Sequence, residues 1–271
     1  MSERSLLVRG NGTDHGLALS LKPEDAGWTY IGFDLLRLPA GASWEGHTGD
    51  REVGLVSVGG VARVTSSAGS WDVGGRKDPF DGLPHCLYLP GGLDYRIEAT
   101  TALELAICSA PAVGNHQPRL ITPDDVHVHT RGEGQCKREI HDILMEDRDA
   151  GSLLITEVHS PAGNWSSYPP HKHDVDRLPE ESQLEESYYF HIKPRQGFAL
   201  ERVYTTDGSL DQSVAARHGD LVLVPRGYHV VGAPAGYEVY YLNVLAGPKR
   251  ALRVTFDPDH VWIKDSWGRA W

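Results

Sequence analysis

The sequence predicts an all-β protein built as two tandem barrels with a short linking helix. Three observations carry that expectation. Short runs rich in β-branched and aromatic residues recur along the chain, punctuated by 30 glycines and 17 prolines, the pattern of strands joined by turns. The 271 residues exceed one ordinary domain of about 100–200 residues. The two halves also repeat one arrangement: a polar cluster, a strand, a long excursion, then apolar residues entering Pro-x-Gly.

In the first half, strands are expected over residues 30–38, 51–58, 85–89 and 103–108. In the second they are expected over 153–158, 186–192, 198–205, 220–224 and 237–244. The repeat reads GHTGDREVGLVSVGG and then CLYLPGG in the first half, against HKH, LEESYYFHI and LVLVPRGYH in the second. Between them, residues 124–135 are polar and turn-rich. Residues 138–145 place Ile140, Ile143 and Leu144 at helical spacing, which predicts the linking helix. The expected division is a first barrel over 1–115, a linker over 116–150 and a second barrel over 151–271.

A formal net charge of -11 argues against nucleic acid, whose phosphates need clustered Lys and Arg. It leaves room for a small anionic substrate, because one local basic group offsets the global field. Cys86, Cys108 and Cys136 are odd in number, widely spaced and outside any CxxC, so a reducing compartment fits better than a disulfide framework. The start MSERSLLVRGNG has no apolar signal region, and no apolar run is long enough for a membrane span. The expectation is a cytoplasmic protein with no membrane partner.

The residues that carry chemistry lie in the second half. His171 and His173 stand at i and i+2, which on a strand points both imidazoles to one face. Pro169 and Pro170 just before them favour extended backbone. Glu186 follows His173 by 13 residues and alternates in phase with Tyr188 and Phe190, while Glu185 and Ser187 take the other face. Further on, Pro225-Arg226-Gly227 can turn the chain so that His229 comes back across the barrel. Three imidazoles and a carboxylate suit a borderline divalent metal. A second H-x-H, His127 and His129, lacks the glutamate strand and the Pro-x-Gly-x-His and is read as non-metal.

Taken together, H-K-H…E-x-Y-Y-F and P-R-G-Y-H…N resemble the two cupin motifs. The His-to-Glu gap is longer than the usual cupin spacing, which keeps Glu185, and less well Asp174, as alternatives to Glu186. HKHD, LEESYYFHIKPRQGFALERVYT, HGDLVLVPRGYHVVGAPAGYEVYYLNVLAGP, DPDHVWIKDSW and the earlier KDPFDGLPHCLYLPGG resemble the 5-deoxy-glucuronate isomerase family of myo-inositol catabolism. That family is related to 4-deoxy-threo-hexulosuronate ketol-isomerase. The resemblance implies a bicupin, two tandem cupin-type β-barrels, with metal only in the second. It implies one divalent ion per chain, zinc first, with manganese, iron, cobalt or nickel as alternatives. In the first half, His47 and Glu52 echo the ligand pair, but Asp94 stands where His229 has its counterpart, so that barrel is read as structural.

The implied reaction converts 5-deoxy-D-glucuronate to 2-deoxy-5-keto-D-gluconate. Its acid–base candidates are Tyr188, Tyr241 and metal-bound water. In cupins an asparagine on the last strand faces the cavity, which implies inward positions for Asn243 and Tyr241. The substrate carboxylate needs a basic partner. Arg202 is preferred to Arg226 and Lys172, because Phe198, Leu200 and Tyr204 share its face. His260 and the tail tryptophans, Trp262, Trp267 and Trp271, are read as docking against a barrel or a partner subunit, so a homo-oligomer is admitted. The alternative enzyme class is a cupin dioxygenase or oxidase using the same ligands. A third reading is a non-catalytic sugar-acid binder.

Overall fold

A computed structural model of the chain describes residues 5–266. Among them the only α-helices are the four-residue turns Pro23–Ala26 and Ile263–Ser266; everything else regular is β, apart from two 3-10 turns. No helix is long and apolar enough to cross a membrane. Each expected strand is present: 30–38, for example, forms Gly32–Leu38 and 51–58 forms Arg51–Gly59.

The chain divides into two compact units. The first comprises Gly10–His127 and Asp142–Ile155. Its six-stranded sheet runs Arg119–Ile121, Cys86–Leu89, Arg51–Gly59, Leu103–Pro111, Gly32–Leu38 and Gly16–Leu21. Its four-stranded sheet runs Ser43–His47, Asp94–Ala99, Val61–Ser66 and Gly69–Gly74. Leu36, Leu55, Leu87 and Leu105 of the first sheet meet Val64, Val73 and Ile97 of the second in one apolar core. Inside this unit Glu52 is fully buried and completely engaged. It accepts the backbone N–H groups of Gly151 (2.7 Å), Ser152 (2.6 Å) and Leu153 (2.6 Å) and the Tyr88 hydroxyl (2.7 Å).

The second unit comprises the N-terminal stretch ending at Arg9, Val128–His141, and the chain from Thr156 onward. Its seven-stranded sheet runs Leu7–Val8, Leu221–Val224, Glu185–Lys193, Glu238–Ala246, Leu154–Ser160, Arg138–Leu144 and His127–Arg131. Its five-stranded sheet runs Asp211–Arg217, Phe198–Tyr204, Tyr228–Gly232, Trp165–Lys172 and Thr255–Phe256. Tyr188, Phe190, Val222, Val239 and Tyr241 from the first sheet pack on Ala199, Val203 and Val231 from the second. The other face of the seven-stranded sheet holds a buried polar network. Glu157 accepts from Tyr240 (2.9 Å) and pairs with His141 (2.9 Å), whose other ring nitrogen meets Glu139 (2.8 Å).

Two expectations change. The predicted helix is the strand Arg138–Leu144. Both its faces are buried: Arg138 and Ile140 on one, His141 and Ile143 on the other. A strand covered on both sides loses its polar/apolar alternation, and sheet pairing satisfies its backbone. The division also differs from 1–115, 116–150 and 151–271. The N-terminal strand pairs into the second unit, Leu7 opposite Val222, while residues 142–155 belong to the first. The stretch expected as a linker carries three strands, Arg119–Ile121, His127–Arg131 and Arg138–Leu144. Trp267 and Trp271 lie outside the described residues, and Trp262 is 60% exposed rather than docked on its own barrel.

Candidate metal centre

The centre is assembled by strand register inside the second unit. Trp165–Lys172 pairs with Tyr228–Gly232, but the register jumps between Ser166 and His171. Pro169 and Pro170 occupy the jump, and neither has an N–H to give the ladder. The pairing resumes with His171 directly opposite His229, their ring centroids 4.5 Å apart. His173 follows at the strand's end, 5.3 Å from His229 and 6.2 Å from His171 by centroids. His229 is delivered by the turn at Gly227, whose φ is +87° and where a Cβ would sit 2.4 Å from the Tyr204 carbonyl oxygen. A side chain there has neither the dihedral freedom nor the room.

The long gap between His173 and Glu186 is a hairpin, Asp174–Arg177 with Glu181–Gln183. Lys172 points away from the imidazoles and ties this hairpin together through Asp174 and Glu181 (2.7 Å). Asp174 also accepts the Gly227 N–H (2.8 Å), so both its oxygens are taken. The chain returns on Glu185–Lys193 with Glu186 inward. The Glu186 Oε2 atom lies 2.8 Å from His173 Nε2 and 3.0 Å from His229 Nε2. Glu185 takes the opposite face, and the carboxylate that reaches the imidazoles is Glu186. Asn243, beside Glu186 on Glu238–Ala246, donates to its Oε1 (2.6 Å). His173 Nδ1 is 3.1 Å from the Leu184 carbonyl, which fixes its ring and aims Nε2 inward.

Burial opposes ionisation of Glu186, but the charges of His229 and His173 hold its carboxyl well below the ordinary range. Burial, followed by the facing charges of His229 and His173, pushes His171 well below its ordinary value, so its ring is neutral and offers a lone pair. Burial also disfavours charge on His173, yet Glu186 raises it overall. Nε2 of His229 is buried and makes no aligned hydrogen bond, with Glu186 Oε2 standing 3.0 Å away.

Those observations test the site for a metal. One ligand atom from each of His171, His173 and His229 lies within 4.8 Å of the other two, and an anionic oxygen stands at hydrogen-bond distance from two of them. A buried imidazole nitrogen without a partner is expensive unless something accepts its lone pair. Three imidazole nitrogens and one carboxylate are a borderline donor set for a divalent transition metal. These residues fit such an ion.

Around them, Tyr188 stacks edge-on to Tyr241 with centroids 4.8 Å apart and stands 6.0 Å from His229. Its hydroxyl is 3.4 Å from Ser167 Oγ. Burial, then the charge of Glu186, pushes the Tyr188 phenol well above its ordinary value. Burial takes Tyr241 up to about 12, against contacts with Ser166 and Ser167. Both phenols hold their protons more tightly than an exposed tyrosine does.

Arg202 does not face the imidazoles. Along Phe198–Tyr204 the outward residues are Phe198, Leu200 and Arg202, with Leu200 45% exposed, while Ala199, Glu201 and Val203 face the core. Arg202 makes a bidentate pair with Asp211 (2.9 and 2.8 Å) across the outer surface. Apolar residues occupy both faces of this strand, so their positions gave the wrong phase. Two side chains missed by sequence reasoning stand inside instead, Glu201 and Arg138. Their signal was register: Val203 pairs with His229, which sends Glu201 to the same side, and Arg138 shares a face with Ile140 of the core.

In the first unit the echoing positions do not converge. Glu52 is engaged as described, whereas His47 is exposed and pairs with Asp94 (2.6 Å).

A model of the KduI/IolB family matches residues 6–263. The 5-deoxy-glucuronate isomerase of Geobacillus thermodenitrificans is 46% identical over 97% of each chain. That of Halalkalibacterium halodurans is 43% identical over 89% of this chain and 90% of its own. Among solved structures, an IolB-like protein from Salmonella typhimurium LT2 superimposes with a TM-score of 0.94 at 43% identity, covering 96% of this chain and all of its own. An oxalate decarboxylase from Lactobacillus farciminis matches with a TM-score of 0.69 at 14% identity, over 94% of this chain and 89% of its own. The last similarity speaks for fold alone, and the fold is bicupin.

Proposed function

Because the chain belongs to the KduI/IolB family, we propose that it is a 5-deoxy-glucuronate isomerase, converting that aldose to the ketose 2-deoxy-5-keto-D-gluconate in inositol catabolism. The observation that carries this reading is the convergence of His171, His173, Glu186 and His229 in one barrel, in a chain that matches named isomerases along 97% of its length. We assign these four as ligands of one divalent ion, with zinc first and manganese, iron, cobalt or nickel compatible with the same donors. When bound, the ion supplies Lewis-acid stabilisation of the negative charge that develops on the sugar oxygens.

The chain's own residues supply the rest. Asn243 holds Glu186 in line, and its own amide oxygen is buried without a hydrogen-bond partner. Tyr188 and Tyr241 present protonated hydroxyls that hydrogen-bond substrate oxygens. The substrate carboxylate is assigned to Arg138, not Arg202. Arg138 is buried and close enough to His171, Tyr241 and Tyr188 for their charges to couple, and a guanidinium is the side chain that best holds a carboxylate in a dry site. Arg138→Met is expected to raise KM about tenfold or more, the worth of a charge-assisted hydrogen bond, with kcat little changed. Arg202→Ala should leave both unchanged. Steady-state kinetics on the two variants checks this.

The reading as a whole is tested by following 5-deoxy-glucuronate by NMR with and without oxygen. Equal conversion to the ketose in both is expected. Turnover that stops without oxygen would favour an oxygenase, and no turnover in either removes the assignment. A cytoplasmic location belongs to the same proposal, supported by three buried cysteines that remain free thiols.

A further inference from the structure

Glu201 is the largest unexplained expense in the barrel. It lies in the middle of Phe198–Tyr204, is 1% exposed, and neither carboxyl oxygen has a hydrogen-bond partner. Its strand neighbours Ala199 and Val203 belong to the barrel core, and its cross-strand partner Val231 is two residues beyond His229. A buried carboxyl with no partner costs more than almost any other side chain at that position, so an apolar residue would serve the fold better.

From this placement, and resting on the isomerase reading above, we propose that Glu201 is a catalytic residue: the carboxylic acid that carries the proton between the two oxygens of the reacting sugar carbons. The aldose has an aldehyde carbon next to a hydroxyl-bearing carbon, and the ketose has them exchanged. As hydrogen passes from the hydroxyl-bearing carbon to the aldehyde carbon with the electron pair of its C–H bond, the carbonyl π pair moves onto the aldehyde oxygen. That oxygen takes the Glu201 O–H proton. The neighbouring hydroxyl gives its proton to the other Glu201 oxygen, and its O–H pair becomes the new carbonyl bond. Glu201 ends neutral, as it began, and no further reactant is needed.

The site favours the neutral acid. Burial, and then the charge of Glu186, push the Glu201 carboxyl well above the ordinary range. Strand register puts it on the same side as the metal centre: Val203, two residues on, lies directly opposite His229. Each tyrosine offers a single oxygen, whereas a neutral carboxylic acid donates from one oxygen and accepts on the other, so it can serve two neighbouring sugar oxygens at once.

Glu201→Gln separates a relay from a spectator. The amide copies the shape of the neutral acid but cannot exchange a proton. Metal content by elemental analysis, melting temperature and KM should match wild type, while kcat falls about 10²-fold or more. Glu201→Met gives a second reading, with the buried polar group gone: it should melt no lower than wild type, keep its metal and show the same loss. If either folded, metal-loaded variant keeps kcat within about threefold of wild type, Glu201 is not the relay. Wild type is assayed in parallel, and its failure to turn over would remove the isomerase reading instead.

Discussion

His171→Ala is expected to leave less than about a tenth of the wild-type metal and to lower isomerisation about 10³-fold. The argument starts from the donor count. Four side chains from three separate stretches of chain reach one point, and His171 is the neutral imidazole with the least competing use. His173 is tied to Glu186 and the Leu184 carbonyl, whereas His171 sits opposite His229 with its charge suppressed by burial and by its two sister rings. Losing a direct ligand costs more than losing its support, and supporting partners alone are worth about 10–100-fold in metal affinity. The fold should tolerate the change, since the apolar core of Tyr188, Phe190, Val222 and Val239 does not depend on the ring. The checks are elemental analysis, circular dichroism and the assay. Full metal occupancy in the variant would overturn the ligand assignment.

The largest loss of stability is expected in the other unit, at Glu52→Ala. This carboxylate takes three consecutive backbone N–H groups and a tyrosine hydroxyl at 2.6–2.7 Å. Removing it strands four buried donors together. Each unsatisfied group costs about 1–3 kcal/mol, and such losses are not fully additive, so about 3–5 kcal/mol is expected, comparable to breaking a buried ion pair. Urea unfolding of the two proteins measures it. A loss below about 1 kcal/mol would mean that water or neighbouring groups replace the carboxylate.

The glutamate echo in the first barrel therefore has a structural occupation. The sequence pattern placed Glu52 in parallel with Glu186, and the strand position is indeed comparable: both lie at the start of long central strands. What differs is company. Glu186 faces imidazoles, Glu52 faces a peptide loop. Residue type and strand phase were legible; which loop would fold over the carboxylate was not, because that depends on residues 99–101 positions away.

The same distinction runs through the rest. Period-two alternation was reliable where one side of a strand is polar, as at Glu186-Ser187-Tyr188. It failed at Phe198–Tyr204, where Phe198 and Leu200 are exposed and Ala199 and Val203 are buried, so both faces read as apolar and Arg202 exchanged places with Glu201. It failed again at Arg138–Leu144, where burial on both sides erased the alternation and left three apolar residues at a chance helical spacing. In each case the deciding information was the partner strand, which single-segment patterns do not contain. Tyr188 and Tyr241 illustrate a further limit. Sequence named them as acid–base candidates, but the burial that raises both phenols is set by packing between strands, which no single segment records.

The exchange of segments between the two units makes this chain unsuitable for dissection. A polypeptide stopped near residue 115 would lack residues 142–155, and with them the N–H groups that occupy Glu52. One begun near residue 151 would lack the Leu7–Val8 and Arg138–Leu144 strands, leaving open backbone edges that invite edge-to-edge polymerisation. Neither half is a portable module. Split-reporter fusions or separate expression of the half that carries the His/Glu cluster require both fragments to be produced together, each donating strands to the other.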